Sequence, residues 1–372
     1  MRTSAVSGLV FANANDKLLK KLTELRSMAS VPFGGRYRLI DFSLSNLVNA
    51  GITNVGIITN ANYRSLMDHV GSGIYWDLDR KNGGLHILSP YMSNDVRRFR
   101  GTVDALEAAI DFIDRCESEY IVLCAADILA NVDISAVIQA HIEKCADITM
   151  VYHNGLLPLN RDDAMILSFD KDRRISAITF DGDREHNQDY GVGITVIGRE
   201  LLSKLIKEAV DYDYQSFNRD ILARKTDELK IIGYEHTEFI TLMNGTDTYY
   251  EANMALLDST VRRQLFNPER PIYTKVRDDM PTRYGTKSKV KNSVIGNGCV
   301  IEGTVINSVL SRGVKIEKGA VVENCILMQE AKIGANAQIK NVIADKNSVI
   351  GADLIIKATD EKKMFISKNE SI

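Results

Sequence analysis

The C-terminal quarter of the chain carries aliphatic residues on a regular beat. Two registered series run through it: Ile316, Ile333 and Ile350 recur every 17 residues, and Val322, Ile339 and Ile356 follow them by six. A triangular parallel β-helix requires such a beat, because one aliphatic side chain per side points inward and small residues occupy the corners. Ordinary antiparallel strands, the alternative, do not explain the registered pairs.

The repeat begins with Ile295 and Ile301, in the runs IGNGCV and IEGTVI. This first unit lies 21 residues ahead of the next coil, at Ile316, which predicts a short insertion around residues 307–312. Stacked coils leave an exposed end and an exposed face. The repeat region is therefore also predicted to self-associate or to pair with a related chain.

The chain before about residue 260 has a different pattern. Short β-branched runs such as EYIVLCAAD alternate with helical patterns such as ISAVIQAHIEKC, which predicts βαβ units and a mostly parallel sheet with ligands at the carboxyl ends of its strands. Three of the six prolines then fall between residues 268 and 281, which indicates an extended linker. We predict an α/β domain over residues 1–262, a linker over 263–285 and the β-helix over 286–372.

Charge and cysteine content narrow the class of protein. The net charge is -3, and no run of lysine and arginine is long enough to bind nucleic acid or anionic lipid. Five cysteines form no C-x-x-C pair, and neither a signal peptide nor an apolar stretch of membrane-spanning length is present. We expect a cytoplasmic protein that binds neither nucleic acid nor membrane.

One long segment identifies a family. The run VPFGGRYRLIDFSLSNLVNAGITNVGIIT, over residues 31–59, closely resembles the signature V-P-F-G-G-[KR]-[YF]-R-[IL]-I-D-F-[AS]-L-S-N of bacterial ADP-glucose pyrophosphorylases (glucose-1-phosphate adenylyltransferases). Further matches follow in order: FRGTVDAL, VLCAAD, YGVGITVI, YYEANMALL and RPIYT. The chain is identified by this resemblance as a member of that family. Within the family it most resembles the second, GlgD-type subunit.

The resemblance implies both a fold and a reaction. The fold is a Rossmann-like nucleotidyltransferase α/β domain followed by a left-handed parallel β-helix of hexapeptide repeats. The family's reaction converts ATP and glucose 1-phosphate to ADP-glucose and pyrophosphate. It needs phosphates cradled by backbone N–H groups, cations over the developing charge and a Mg²⁺ held by carboxylates. Mg²⁺ is therefore expected for active members, and we assign no cofactor to this chain.

Four positions depart from the family's pattern. The phosphate loop L-A-G-G-x-G-T-R-L aligns with residues 11–19, where its glycines become Asn13, Ala14 and Asp16 and its arginine becomes Leu18. The phosphate-contacting lysine of R-A-K-P-A becomes Met28. The E-K-P motif, whose lysine holds the sugar phosphate, aligns near residues 178–183, which contain no lysine. The second metal carboxylate of D-V-G-T falls on Leu242 or Met243.

Other family positions persist. Asp127 ends a predicted strand where the first metal ligand belongs, but it lacks a partner and is predicted to be vestigial. Gly101, Thr102, Asp104 and Gly193 keep the shape of a residual nucleotide or sugar site. Arg36 and Arg38 are candidate contacts for a regulatory anion, and a salt-bridged loop under the first helix is the alternative interpretation of the two.

These departures predict a regulatory, catalytically impaired subunit that assembles with a catalytic paralogue in glycogen biosynthesis, as a heterotetramer or another oligomer. The alternative is an active nucleotidyltransferase that uses Lys17, Lys20 or Arg26 as substitute cations. An acyltransferase function for the β-helix is disfavoured, because such enzymes use a histidine base there and all six histidines precede the repeats.

Overall fold

The computed structural model of the chain describes residues 6–13, 15–60, 62–89, 99–157, 161, 163–180 and 182–372. The strands of the first domain are β1 (Val6–Phe11), β2 (Pro32–Phe33), β3 (Tyr37–Arg38), β4 (Asn54–Ile58), β5 (Gly84–Leu88), β6 (Tyr120–Ala125), β7 (Ile128–Ala130), β8 (Ile148–Leu156), β9 (Ile166–Phe169), β10 (Ile175–Thr179), β11 (Asn187–Gly198), β12 (Ile231–Glu235) and β13 (Ile240–Leu242). Its α-helices are α1 (Leu39–Asn49), α2 (Arg64–Val70), α3 (Thr102–Ala108), α4 (Ile110–Arg115), α5 (Ile134–Glu143), α6 (Arg199–Asp211), α7 (Thr246–Ala255) and α8 (Ser259–Leu265). Short 3-10 or π-helical turns are Asp16–Leu22, Met28–Ser30, Ile74–Trp76, Phe217–Ile221 and Leu222–Arg224.

A nine-stranded sheet forms the centre of the first domain. Seven strands lie in the order β10, β9, β11, β6, β1, β4, β5, while β8 pairs with β11 and β12 with β8. β1 is parallel to β4 and β6, and β11 runs antiparallel to β6. Two buried aliphatic clusters take alternate residues of the central strands, so both faces are covered and a run such as VSGLVF is apolar almost throughout.

Helix α1 holds the segment that precedes it. The Asp41 carboxylate accepts a hydrogen bond from the backbone N–H of Arg38 at 3.0 Å, which satisfies a donor at the helix N-terminus. Just before it, Gly35 has a φ of 82° and lies so close to the β-helix that a Cβ would come 3.0 Å from the Leu310 carbonyl oxygen. The segment over residues 31–38 is therefore fixed between α1 and the second domain.

Three parallel five-stranded sheets make the second domain a triangular β-helix. Its strands are β14 (Arg283–Tyr284), β15 (Lys289–Lys291), β16 (Val294–Ile295), β17 (Val300–Ile301), β18 (Thr304–Ile306), β19 (Val309–Leu310), β20 (Lys315–Ile316), β21 (Val321–Glu323), β22 (Ile326–Leu327), β23 (Lys332–Ile333), β24 (Gln338–Lys340), β25 (Val342–Ala344), β26 (Val349–Ile350), β27 (Ile355–Lys357) and β28 (Met364–Ile366). The predicted register is confirmed, since β20, β23 and β26 align Ile316 with Ile333 and Ile350.

The insertion predicted around residues 307–312 is wrong. Ile301 pairs with Ile316, and Ile295 pairs with Leu310, so this first coil is two residues shorter than the 17-residue coils that follow. The error arose from aligning Ile295 with Ile316, which lie on different sides of the triangle. The longer coil comes later, between β25 and β28, where Ile343 pairs with Phe365.

The two domains share an apolar cluster. Residues of the first domain, including Leu19, Met28 and Tyr249, pack in it with Ile326 and Ile343 of the β-helix. The proline-rich segment before β14 lies along α1, where Asn49 donates to the Pro271 carbonyl at 3.0 Å and Ser45 Oγ accepts from the Tyr273 N–H at 2.8 Å. Among the helices of the described ranges, none is long and apolar enough to cross a membrane.

Candidate functional site

The strand ends of the central sheet bring together residues that are distant in sequence. β1 and β6 are parallel neighbours that pair Phe11 with Ala125, so the segment after β1 and Asp127 after β6 emerge at the same edge. The Ala126 N–H donates to the Phe11 carbonyl at 3.1 Å and closes this junction. Position 127 therefore faces the segment that aligns with the family's phosphate loop.

Asp127 is buried, with a side chain 1% exposed, and is balanced by an arginine. Its Oδ2 atom accepts from Arg161 Nη1 at 2.6 Å and from Asn15 Nδ2 at 2.8 Å. Arg161 also holds Asp163, with Nε 2.9 Å from Oδ1 and Nη2 3.0 Å from Oδ2. These four residues, Asn15, Asp127, Arg161 and Asp163, are called the strand-end site below.

The ionisation of the strand-end site follows from these contacts. Burial alone would lower the pKa of Arg161, but the Asp127 and Asp163 carboxylates raise it above its ordinary value. Burial alone would raise the pKa of Asp163, but the Arg161 guanidinium holds it below its ordinary value. The arginine is therefore charged, and its charge is opposed by carboxylates of the same chain.

The segment after β1 is closed by its own hydrogen bonds. Asp16 Oδ1 accepts from the Met28 backbone N–H at 2.6 Å, and its Oδ2 accepts from Asn13 Nδ2 at 2.6 Å. Asn13 Oδ1 in turn accepts from Thr59 Oγ1 at 2.9 Å and from the Asn60 N–H at 2.7 Å. Burial raises the pKa of Asp16 to about 6. Ala14 lies outside the described residues, and Leu18 is half-buried in the 3-10 turn Asp16–Leu22.

Comparison with known proteins agrees with this arrangement of strands and coils. The family described as Nucleotidyl transferase matches residues 10–155, and the family described as GlmU-like, C-terminal hexapeptide matches residues 278–372. The chain is 39% identical over 316 residues to "Glycogen biosynthesis protein GlgD" of Geobacillus stearothermophilus, covering 85% of this chain and 82% of that protein. It is 32% identical over 341 residues to "Glucose-1-phosphate adenylyltransferase" of Clostridium botulinum (strain Alaska E43 / Type E3), covering 87% and 85%.

The chain belongs to the glucose-1-phosphate adenylyltransferase family. A second GlgD protein, that of Bacillus subtilis (strain 168), is 32% identical over 320 residues and covers 86% of this chain and 83% of its own length. Two of the relatives just described thus carry the GlgD name, in agreement with the predicted resemblance to the GlgD-type subunit.

The residues at the strand-end site do not fit the Mg²⁺ of active family members. Asp127 Oδ2 already accepts two hydrogen bonds, and the aligned second ligand position is apolar: Leu242 is 4% and Met243 0% exposed. The Met243 N–H donates to the Asp127 carbonyl at 2.9 Å, so its backbone is next to the site although its side chain lies in the interdomain cluster. Within the described part of the chain, no group of three metal-ligating side chains forms.

The neighbourhood of the missing phosphate lysine has become a domain contact. Met28 is 0% exposed in the interdomain cluster. Arg26, one of the predicted substitute cations, donates from Nη2 to both carboxylate oxygens of Asp345 in the β-helix, at 2.9 and 2.8 Å. The other two, Lys17 and Lys20, are exposed. Arg26 therefore joins the domains and is not presented to a nucleotide.

The stretch aligned with the E-K-P motif contains an arginine–aromatic contact. The Arg219 guanidinium lies 4.3 Å from the ring centroid of Phe180. Asp183 is on the surface, where it accepts from the Glu185 N–H and pairs with His186. Asp181 lies outside the described residues. No lysine replaces the sugar-phosphate contact in this stretch.

The four residues of the predicted residual site lie against two different parts of the domain. Thr102 Oγ1 accepts from the Phe217 N–H at 2.8 Å, and a Cβ at Gly101 would come 2.2 Å from the Gln215 carbonyl oxygen. The Asp104 carboxylate accepts from the Arg100 guanidinium. Gly193, with a φ of 77°, instead lies on β11 beside Ala125. Residual nucleotide or sugar binding stays a prediction.

The predicted anion contacts Arg36 and Arg38 line an interdomain cleft of about 240 Å³. Its cationic lining consists of Arg36, Arg38, Lys275, Arg277, Arg312 and Lys346, and it is called the cationic cleft below. Arg38 Nη1 donates to the carbonyl and the hydroxyl of Ser65 at 2.5 and 2.9 Å. Among the described residues, only two of the six cations form ion pairs, Arg277 and Arg312, and both pair with Asp279.

Burial and mutual repulsion in the cationic cleft disfavour the charged forms of two of its cations, Arg38 and Lys346. Burial lowers the pKa of Arg38 to about 10. The pKa of Lys346 falls to about 7, first through burial and then through the nearby charges of Arg38 and Arg26. A bound anion would relieve this repulsion, so the cleft has the electrostatic character of an anion site.

Sequence reasoning missed Arg161 and Asp163, and it missed the four cleft cations beyond Arg36 and Arg38. A signal for Arg161 existed, since a buried aspartate without its metal needs another counter-charge. The run NRDDA over residues 160–164 offers one. The remaining cleft cations come from the linker and the β-helix, and nothing in their spacing indicates that they meet.

Proposed function

We propose that this chain is a regulatory, catalytically impaired subunit of a glucose-1-phosphate adenylyltransferase in glycogen biosynthesis, and that it works in the cytoplasm with a catalytic paralogue. One observation carries the proposal: the Arg161 guanidinium, 2.6 Å from Asp127, lies where the family's reaction requires a divalent cation. The GlgD and adenylyltransferase names of the relatives support the pathway. The five free cysteines agree with a reducing compartment.

The segment after β1, which aligns with the family's phosphate loop, supports the same conclusion. Asp16 and Asn13 occupy the backbone N–H groups of Met28 and Asn60 with internal hydrogen bonds, and Asp16 adds negative charge to the segment that aligns with the phosphate loop. Loss of one charge-stabilising group costs about 10² to 10³ in rate. Losses at several positions are not additive, but together they predict at most very weak turnover.

The cationic cleft supports the regulatory part of the proposal. Arg36 and Arg38 of the first domain and Arg312 and Lys346 of the β-helix line the same cleft, so an anion bound there would contact both domains. We propose that this anion is the regulatory ligand. Its binding would then alter the relative position of the two domains, which is a route by which a subunit without turnover can affect its partner.

The last coil of the β-helix supports assembly. It exposes Leu354, Ile355 and Ile372, of which Ile355 is 65% exposed. Exposed aliphatic side chains of this kind favour pairing with another chain. We propose the catalytic paralogue as that chain, in a hetero-oligomer such as a tetramer.

The test is an assay of pyrophosphate release from ATP and glucose 1-phosphate with Mg²⁺, using the lone chain, the paralogue and the mixture. We expect at most very weak turnover by the lone chain and an altered effector response of the paralogue in the mixture. The competing function, an active enzyme with substitute cations, predicts turnover by the lone chain that Asp127→Asn abolishes. That result would overturn the proposal.

A further inference from the structure

Of the two aligned metal-ligand positions, only position 127 still carries a carboxylate. Arg161 lies directly beside that carboxylate. We propose that the Arg161 guanidinium is the resident cation of the strand-end site, and that its removal turns Asp127 and Asp163 into a binding site for a divalent cation. The inference rests on the proposed function in that both assume a site without a metal. The inference adds that the charge of Arg161 is what prevents a divalent cation from binding.

The first argument is charge. Asp127 is 1% exposed, and a carboxylate at such depth needs a cation beside it. Arg161, 9% exposed, contacts both carboxylates of the site and brings its charge within 2.6 Å of Asp127 and 2.9 Å of Asp163. A divalent cation would have to displace a group that is covalently part of the chain and always present. Mg²⁺ also dehydrates reluctantly, which adds to that barrier.

The second argument is the set of oxygen atoms left without Arg161. Asn15 Nδ2 lies 2.8 Å from Asp127 Oδ2 and 3.2 Å from Asp163 Oδ2, so these two oxygens converge on the same amide. Asp127 Oδ1 is buried and accepts no hydrogen bond from the residues that the structure describes. The two converging oxygens, together with the unpartnered Oδ1 of the same Asp127 carboxylate, are the hard donors that Mg²⁺ and Mn²⁺ prefer.

The third argument is that the site is reachable. Asp163 is 53% exposed, whereas Asp127 and Arg161 are buried behind it. A hydrated ion can therefore meet Asp163 first and then replace part of its water shell with Asp127. Among the described residues of the site, Asp163 is thus the one through which an ion can enter.

The experiment compares the full chain with Arg161→Met, which keeps much of the aliphatic stem and removes the charge. We expect R161M to melt roughly 6 to 12 °C below wild type without metal, because Asp127 is left buried and unpaired. Addition of 10 mM MnCl₂ should raise its melting temperature, and calorimetric titration should show one site. Wild type should bind Mn²⁺ at least tenfold more weakly.

Two further variants separate charge from packing. R161M/D127N removes both charges, so it should melt above R161M and lose the Mn²⁺ response. Arg161→Lys keeps a cation and should stay insensitive to Mn²⁺. If R161M cannot be purified, Arg161→Gln is measured in its place with the same expectations.

The inference is overturned if the charge-removed variant shows no Mn²⁺ binding, or if wild type binds Mn²⁺ as tightly as the variant does. Neither outcome by itself decides the subunit proposal, which is tested by pyrophosphate release. Turnover by the lone wild-type chain would instead overturn the proposed function while leaving the metal titration to be judged on its own.

Discussion

The strand-end site and the cationic cleft differ in what balances their charges. At the strand-end site, Arg161 contacts Asp127 and Asp163, so the guanidinium and both carboxylates have partners within the chain. In the cleft, six cations from three segments of the chain meet, and Asp279 is the one acid that pairs with any of them among the described residues. Asp68 also lines the cleft.

This difference separates a site whose charges are paired within the chain from one that is suited to a ligand. A buried charge without a counter-charge destabilises the fold, so a protein either pairs it, neutralises it or binds an ion there. The strand-end site is paired. The cleft is partly neutralised, since the pKa of Lys346 falls to about 7, and an external anion would complete its balance.

The largest effect is expected from restoring a carboxylate at the second metal position. Met243→Asp would place an acid at a position with 0% exposure in an apolar cluster. We expect it to lower the free energy of unfolding by at least about 4 kcal/mol, because burial of an unpaired charge is among the costliest substitutions. Urea unfolding measures this, and Met243→Leu is the control, expected to cost less than about 1.5 kcal/mol.

If Met243→Asp leaves the free energy of unfolding nearly unchanged, the contrast between the strand-end site and the cationic cleft fails. It would mean that the position is still open to water or metal, and that the strand-end site is less closed than its contacts indicate. Turnover gained by M243D alone would carry the same message, since Arg161 would still be present.

The next effect concerns Arg26 and Asp345, the ion pair between the two domains. Asp345→Asn leaves Arg26 buried and unpaired next to Lys346, which makes that end of the cleft more positive. We expect a loss of about 3 kcal/mol in unfolding free energy in buffer without multivalent anions, and tighter sulfate binding. Melting with and without sodium sulfate measures both, with the sulfate response of wild type subtracted to remove its general stabilising effect.

The double variant R26M/D345N is the control for that prediction. It removes the unpaired guanidinium, so it should recover part of the stability and lose the extra sulfate affinity. A D345N chain with unchanged sulfate affinity would show that charge in the cleft does not govern anion binding.

The β-helix was largely predictable from sequence because its contacts are local and periodic. Inward-pointing residues one coil apart pair directly, as Ile316 does with Ile333. The spacing of the repeat in the sequence therefore gives the register of strand pairing in the sheets. The error at Ile295 has a physical source. Three sides of the triangle carry similar aliphatic residues, so Ile295 was matched with Ile316, one side beyond its true partner Leu310.

The candidate site was predictable only in part. The losses at Asp16 and Met28 follow from a motif of fixed length. The Asp127–Arg161 contact instead joins a residue between β6 and β7 to one between β8 and β9, with no recognisable spacing. The cleft combines residues from the first domain, the linker and the β-helix. Meetings of that kind depend on how the domains pack, and composition and periodicity carry no information about it.

A smaller effect is expected from pH at the closed phosphate segment. Burial raises the pKa of Asp16 to about 6, above its ordinary value of 3.8. The folded chain therefore holds more protons than the unfolded chain between about pH 4 and 6, and its free energy of unfolding falls as pH rises through that window. The shift corresponds to about 2 to 3 kcal/mol.

The comparison of wild type with Asp16→Asn isolates this contribution. The variant misplaces one hydrogen bond to Met28 or Asn13, a cost that does not depend on pH. Relative to D16N, wild type should therefore lose about 2 to 3 kcal/mol between pH 4 and pH 6.5 in urea titrations. A difference that stays constant with pH would show that Asp16 is ionised as readily as a surface carboxylate.

The smallest expected effect is the pH dependence of sulfate binding to the cationic cleft. Lys346, with a pKa of about 7, is charged at pH 6 and mostly neutral at pH 8. Sulfate keeps its double charge over this range, so its affinity for the cleft should fall roughly three- to tenfold between the two values, as expected for the loss of one charge near the ligand. His69 also lines the cleft, but burial lowers its pKa below the ordinary 6.5, so it contributes little above pH 6.5.

Calorimetric titration of sulfate into wild type and Lys346→Met separates Lys346 from the other cations. K346M should bind sulfate weakly at both pH values and show no dependence between them, because the variant lacks the lysine whose charge changes over this range. Wild type without pH dependence would mean that sulfate binds away from Lys346 or that Lys346 keeps its charge at pH 8. The second result would mean that a counter-charge within the chain already balances Lys346, as Arg161 balances Asp127 at the strand-end site.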